Sequence, residues 1–296
     1  MYLFRNGNTQ KDRRFGIDLE IAHPQYSRQE FKNVIENIHS HVAVKGDPSL
    51  SGNESEIIIT ESKHTKDNDG LSTWKDILST LESKGCKVSQ RTGYHIHWDT
   101  DGMTPQAIYN VLALWYNYSN VIDYALPKIR RGSAININCL QRRELTKLKR
   151  LAKEIDDRVE YLFRAERILG HCREITCNAT FKTIEFRKQQ ATLRKDVFEN
   201  WIKFTQNIIK EGIDRDSFVG IKTQAAKSFQ VVKNTDIKLR GSFAHTWRKV
   251  FQYYGGNRTL FLFWTDRAIS ESECTNTAEV IRTIRENIVQ ANKSWN

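Results

Sequence analysis

The chain has 296 residues, of which 39% are apolar and 27% charged, with only 15 Gly and 4 Pro. That is enough to bury a core without disulfide or metal staples, and it excludes collagen-like, low-complexity and wholly disordered classes. No uninterrupted apolar stretch approaches the roughly 18 to 20 residues of a membrane-spanning helix.

The net charge of +11 is unevenly placed. Residues 1–100 carry 13 Lys/Arg against 14 Asp/Glu, the remainder 33 against 21, and residues 221–258 alone 8 against 1. A basic stretch can attract nucleic acid, nucleotide phosphates or an acidic substrate. A solvated face is its ordinary explanation, and specific nucleic-acid recognition is the lesser reading. The opening residues Met1–Gln10 lack a basic segment followed by an apolar one, which leads to the expectation of a cytoplasmic protein without membrane association. Five cysteines without a repeated CxxC spacing fit reduced thiols, and the local group His171, Cys172 and Cys177 is one ligand short of a closed zinc site.

In chain order, FGIDLEIA (15–22) alternates as a strand, with Phe15, Ile17, Leu19 and Ile21 on one face and Asp18 and Glu20 on the other. Ser27 and Glu30 form a capping box ahead of a helix bearing Phe31, Val34, Ile35 and Ile38. SEIIIT (55–60) reads as a strand with Glu56 on one face. Ser72 is the expected N-cap of a helix carrying Trp74, Ile77, Leu78 and Leu81, ended by Gly85. GYHIHWD (93–99) alternates again and groups His95, His97 and Asp99. Thr104-Pro105 opens a helix through Ile108, Leu112, Trp115 and Ile122.

Helical spacing from Leu145 to Leu162 predicts one packing segment closed by Gly170. TIEFR (183–187) is a strand with Thr183, Glu185 and Arg187 on one side, and Val197, Trp201, Phe204 and Ile208 mark an amphipathic helix. RTLFLFWT (258–265) reads as a buried strand, and Asn276 with Glu279 caps a last helix bearing Val280, Ile284 and Ile288.

Each charged strand face has a bland explanation as a wet surface. Together they hold Asp18, Glu20, Glu56, His95, His97, Glu185 and Arg187 where Lys, Thr and Ser would be ordinary. Converging carboxylates repel unless cations join them. Hard oxygen donors with an imidazole suit Mg²⁺ or Mn²⁺, which keep positions for water and substrate phosphates. An Arg on the same face matches a phosphoryl oxygen, so phosphoryl transfer is the natural hypothesis. GxxxxGK[ST], GxGxxG and GxSxG are all absent, so a nucleotide would be held by metals and side chains.

In order, FGIDLE, KGDPSL followed by EIIIT, GYHIHWD, LPKIRR and TIEFRKQQATL with a downstream NWI resemble the amidoligase family, over about residues 15–210. That family belongs to the carboxylate–amine ligase superfamily, with glutamine synthetase and gamma-glutamylcysteine synthetase. The resemblance implies an α+β, glutamine-synthetase-like fold: a curved, mainly antiparallel sheet with outer helices and a helical C-terminal part. It divides the chain into a catalytic domain over 1–211 and a basic extension over 212–296 packing on it.

The resemblance also implies ATP and Mg²⁺ (or Mn²⁺) as cofactors, with Asp18, Glu20, Glu56, His95 and Glu185 as metal ligands. His97 and Arg187 would contact ATP phosphates, Glu185 and Arg187 serving the chemistry, and Arg130 and Arg131 would bind phosphate or a substrate carboxylate. Asp47, Ser49 and Asn178, with Asn136 and Asn138, would line the substrate site. The expected partners are a carboxylate and an amine, which a peptide or protein could supply, and no signal of oligomeric state is present. Asp18 stands where the family motif has Glu and reaches one methylene less far.

Two other readings compete. A mononuclear metal enzyme built on the HxH pair needs a further His, and neither His171 nor His245 lies in a strand motif. A non-catalytic binding or structural protein on a degenerate ligase fold is motivated by Asp18 and the basic 221–258 stretch.

Overall fold

The computed structural model describes residues 4–5, 13–46, 50–59, 70–123, 126, 140–170, 172–221 and 258–270, with residues 279, 281, 282 and 286. Among the described residues, seven strands form one antiparallel sheet: β1 (Phe4–Arg5), β2 (Arg14–Ala22), β3 (Val42–Lys45), β4 (Glu54–Ile59), β5 (Gly93–Asp99), β6 (Ile175–Asn178) and β7 (Thr183–Gln190). The order is β3-β4-β2-β5-β7-β6, with β1 pairing β2 beside that path. Helices α1 (Arg28–Ile38), α2 (Gly70–Ser83), α3 (Pro105–Ile122), α4 (Arg142–Glu154), α5 (Arg158–Leu169), α6 (Lys195–Ile213) and α7 (Arg258–Ser270) complete an α+β fold. Among the described residues no helix is long and apolar enough to cross a membrane.

The chain divides into two compact units, one of Met1–Pro105 with Leu151–Ile202, the other of Gln106–Arg150 with Lys203–Asn296. The first unit holds the whole sheet. Period-two alternation puts Phe15, Ile17 and Leu19 of β2, Tyr94, Ile96 and Trp98 of β5 and Ile184 and Phe186 of β7 on one face, and all are buried. The start of α6 meets that face and α2 meets α6. Phe198, at the start of α6, stacks on Tyr94 at 4.5 Å between ring centroids and meets Trp74 of α2 at 5.5 Å, while Tyr94 Oη donates to its carbonyl at 3.2 Å. A 2.7 Å ion pair between Lys75 and Glu199 joins the same two helices.

In the second unit, Asn110 of α3 fastens the segment after α6, donating to Ser217 O at 3.1 Å and accepting from Val219 N at 2.8 Å. Trp264 of α7 packs against Phe204 at 5.9 Å.

The capping box is present, with the Ser27 hydroxyl accepting from Glu30 N and the Glu30 carboxylate accepting from Ser27 N. Gly85 takes φ +68°, the left-handed turn that ends α2. Three expectations are corrected. RTLFLFWT lies in helix α7, because a short apolar run suits a buried helix as well as a strand and length decides between them; here the helix runs on through Asp266, Arg267 and Ala268. The segment through 145–162 is two helices, since Asp157 caps a new start by accepting from Glu160 N at 2.7 Å. Helix α2 begins at Gly70, placing Ser72 inside its first turn, because Leu71 extends the buried stripe of Trp74, Leu78 and Leu81. Of the final helix, Glu279, Ile281, Arg282 and Glu286 are helical and Ile281 is buried, while Asn276, Val280, Ile284 and Ile288 lie outside the described residues. The same holds for nearly all of the basic 221–258 stretch.

Candidate active site on the polar face of the sheet

Residues paired directly across an antiparallel ladder point to the same face. The register sets Glu56 opposite Glu20, Asp18 opposite His95, and His97 opposite Glu185. Thr176 of β6 follows Glu185, and Asp99, Thr183 and Asn178 form the next row. Four strands therefore bring four carboxylates and two imidazoles from positions 18 to 185 onto one surface.

The side chains link into a chain of charge. His95 Nε2 lies 3.9 Å from Glu20 Oε1, and His95 Nδ1 lies 3.6 Å from Glu185 Oε1. His97 Nε2 lies 3.0 Å from Asp18 Oδ2 and 3.8 Å from Glu185 Oε1, and Arg187 Nε reaches that same carboxylate oxygen at 3.4 Å. Glu20, His95, His97 and Glu185 are all buried, whereas the Arg187 side chain keeps 38% of its surface. Buried charge on this scale is costly unless paired. Here Asp18, Glu20 and Glu185 each have a histidine or arginine neighbour.

The two imidazoles are driven apart. Burial lowers the pKa of His95 below the ordinary imidazole value, outweighing the pull of Glu185 and Glu20. His97 is raised: burial opposes its charge, but Glu185 and the hydrogen bond to Asp18 prevail. Asp18 is lowered, since the His97 bond and the charges of both imidazoles overcome its own burial.

Two local features make room for this cluster. Gly93 N–H donates to Glu20 Oε2, and a Cβ at Gly93 would stand 2.7 Å from His95 Nε2 and 3.1 Å from Glu20 Oε2, so any larger residue displaces one of them. A bulge in the β5–β7 pairing sets Arg187 and Lys188 against His95 alone. Lys188 is fully buried on Glu174, while Arg187 stays by Glu185. At the far end, Arg14 clamps Asp99 Oδ2 through Nε at 2.9 Å and Nη2 at 2.6 Å, tying β2 to β5.

Among the described residues no group of three or more His, Cys, Asp or Glu is arranged around a common point as a metal site. The donor chemistry still fits a hard divalent cation, being carboxylate oxygen with one imidazole. Asp18 Oδ1 is buried with no hydrogen-bond partner, an acceptor that a cation would satisfy.

Asp18, Glu20, Glu56, His95, His97, Glu185 and Arg187 thus share one face, as the alternation predicts. Asn178 stands at its edge and closes the β6–β7 turn, its Oδ1 accepting from Phe181 N at 3.0 Å. Asp47, Ser49, Arg130, Arg131, Asn136 and Asn138 lie outside the described residues, as does His171. Cys86, Cys172 and Cys177 are buried free thiols. Sequence reasoning missed the parts played by Gly93 and Thr183. Their signal was present in the alternation, because each stands two residues before a charged member of the same face.

Residues 58–209, about half of the chain, match the sequence model of a family described as putative amidoligase enzymes. The match takes in His95, His97, Glu185 and Arg187, and the ladder adds Asp18, Glu20 and Glu56 from outside it. A search of curated proteins returns no match. On the family match, with more than half its length covered, the chain belongs to the putative amidoligase enzyme family.

Proposed function

We propose that the protein is an ATP-dependent carboxylate–amine ligase that forms an amide through an acyl phosphate on a glutamine-synthetase-like sheet. One observation carries the reading beyond the family match: acids and imidazoles from β4, β2, β5 and β7 lie side by side on a single face, with Glu20, His95, His97 and Glu185 buried and Arg187 partly exposed at the border. Burying ionisable groups costs desolvation that their mutual attraction repays only with excellent geometry.

Asp18, Glu20, Glu56, His95 and Glu185 would hold Mg²⁺ or Mn²⁺. When bound, such ions supply positive charge that offsets the repulsion between an anionic nucleophile and a triphosphate. A substrate carboxylate oxygen attacks the γ-phosphorus of ATP, and the bond to the bridging oxygen breaks to release ADP. The amine nitrogen then attacks the acyl carbon, inorganic phosphate leaves, and the amine proton passes to a nearby carboxylate or to phosphate. Arg187 orients the transferring group through its planar fork. Arg130 and Arg131 bind phosphate or the substrate carboxylate, with Asp47, Ser49 and Asn178 on the acceptor side. Burial of the face keeps water from the acyl phosphate.

The test is ADP release by the purified chain with Mg²⁺, ATP and pooled carboxylates and amines. Turnover dependent on both pools supports the ligase. ATP that neither binds nor turns over with any divalent cation contradicts it.

A further inference from the structure

The resemblance assigns His97 to ATP phosphates, yet His97 is 1% exposed and both its nitrogens are engaged inside the sheet. Nε2 meets Asp18 Oδ2 at 3.0 Å, and Nδ1 meets Thr183 Oγ1 at 3.1 Å. Thr183 is itself fully buried, and its hydroxyl, both donor and acceptor, serves the ring in either protonation state. A phosphate could reach His97 only by displacing one of these partners.

Asp18 shows the other side of the arrangement. It lies directly opposite His95 in the ladder, but its carboxylate pairs with the diagonal neighbour His97. His95 is flanked by the longer Glu20 and Glu185. The pairing occupies Oδ2 alone and leaves Oδ1 buried and unpartnered.

We infer that Thr183, His97 and Asp18 form a clamp in which His97 is a positioning residue: the threonine hydroxyl fixes the ring, and the ring fixes the carboxylate so that Oδ1 is presented to a bound cation. Partners of this kind behind a ligand typically change metal affinity about 10- to 100-fold when removed. The inference rests on the ligase reading for the cation but not for the clamp, and the two fail separately.

The experiment uses the full chain labelled with ¹⁵N-histidine, comparing wild type with Thr183→Val, Thr183→Ser and Asp18→Asn. Two-bond ¹H–¹⁵N spectra report the His97 nitrogens, and electron paramagnetic resonance reports Mn²⁺ uptake. The clamp predicts that T183V moves the Nδ1 resonance and weakens Mn²⁺ about 10- to 100-fold, that T183S restores both, and that D18N moves the Nε2 resonance. Wild-type His97 resonances in T183V and D18N overturn it, as does Mn²⁺ affinity in T183V within twofold of wild type. If T183V does not fold by circular dichroism, unchanged His97 signals in D18N alone overturn the clamp. If wild type takes up no Mn²⁺, the ligase reading of the acids falls, and the nitrogen shifts still decide the clamp.

Discussion

The two faces of the sheet are built from opposite chemistry. On one, Phe15, Ile17, Leu19, Tyr94, Ile96, Trp98 and Phe186 are buried, with Tyr94 stacked on Phe198 and Phe198 against Trp74, and burial is the source of stability. On the other, Glu20, His95, His97 and Glu185 are withdrawn from water, and burial is a cost that their close contacts only partly repay. The difference teaches that the strands were not shaped for stability alone. The apolar face holds the frame in which the polar face can be kept charged and dry.

If that division is right, substitutions on the two faces report through different measurements. The largest effect belongs to Trp98→Ala. It removes a fully buried indole that packs on Phe15 at 5.5 Å, and is expected to cost about 3–5 kcal/mol in urea denaturation. A loss below about 1 kcal/mol would mean that the apolar face is not the core.

Glu185→Gln inverts the pattern. It removes the carboxylate shared by His95, His97 and Arg187, and ATP turnover should fall at least about a hundredfold while the circular dichroism spectrum is retained. Undiminished turnover would leave the polar face without a part in the chemistry. Gly93→Ala crowds His95 and Glu20 and should weaken Mn²⁺ uptake with a stability loss of about 1–3 kcal/mol. Equal uptake in the variant would show that the cluster does not depend on that space.

The smallest effect sharpens the comparison with a buried imidazole hydrogen-bonded to neutral groups. His23 bonds to Tyr26 O at 3.0 Å and Ser55 Oγ at 2.9 Å, and burial holds its pKa below the ordinary value. The unfolded chain therefore binds the extra proton first as pH falls through about 6.5, and the stability His23 contributes above that value is lost toward its folded pKa. Urea midpoints of wild type and His23→Gln should accordingly draw together between pH 7.5 and 5.5. A constant gap would contradict this sign.

Much of the site was legible because period-two alternation is local: Asp18 with Glu20, His95 with His97, and Glu185 with Arg187 each share a face by spacing alone. What joins them is not local. Only the order β4-β2-β5-β7 tells that Glu56 faces Glu20 and that His97 faces Glu185. The diagonal choice of Asp18 for His97, and the need for Gly93 beneath His95, follow from side-chain reach across that register. Helix α7 was misread for the converse reason. Leu260–Trp264 is apolar on every side, and a run without polar gaps carries no period.

The most direct test of the shared cation site is anomalous diffraction at the manganese edge from crystals grown with Mn²⁺ and a non-hydrolysable ATP analogue. The account predicts manganese within coordination distance of Glu20, Glu56, His95 and Glu185, with the terminal phosphate beside it. Manganese elsewhere, or none on that face with the analogue bound, would contradict it.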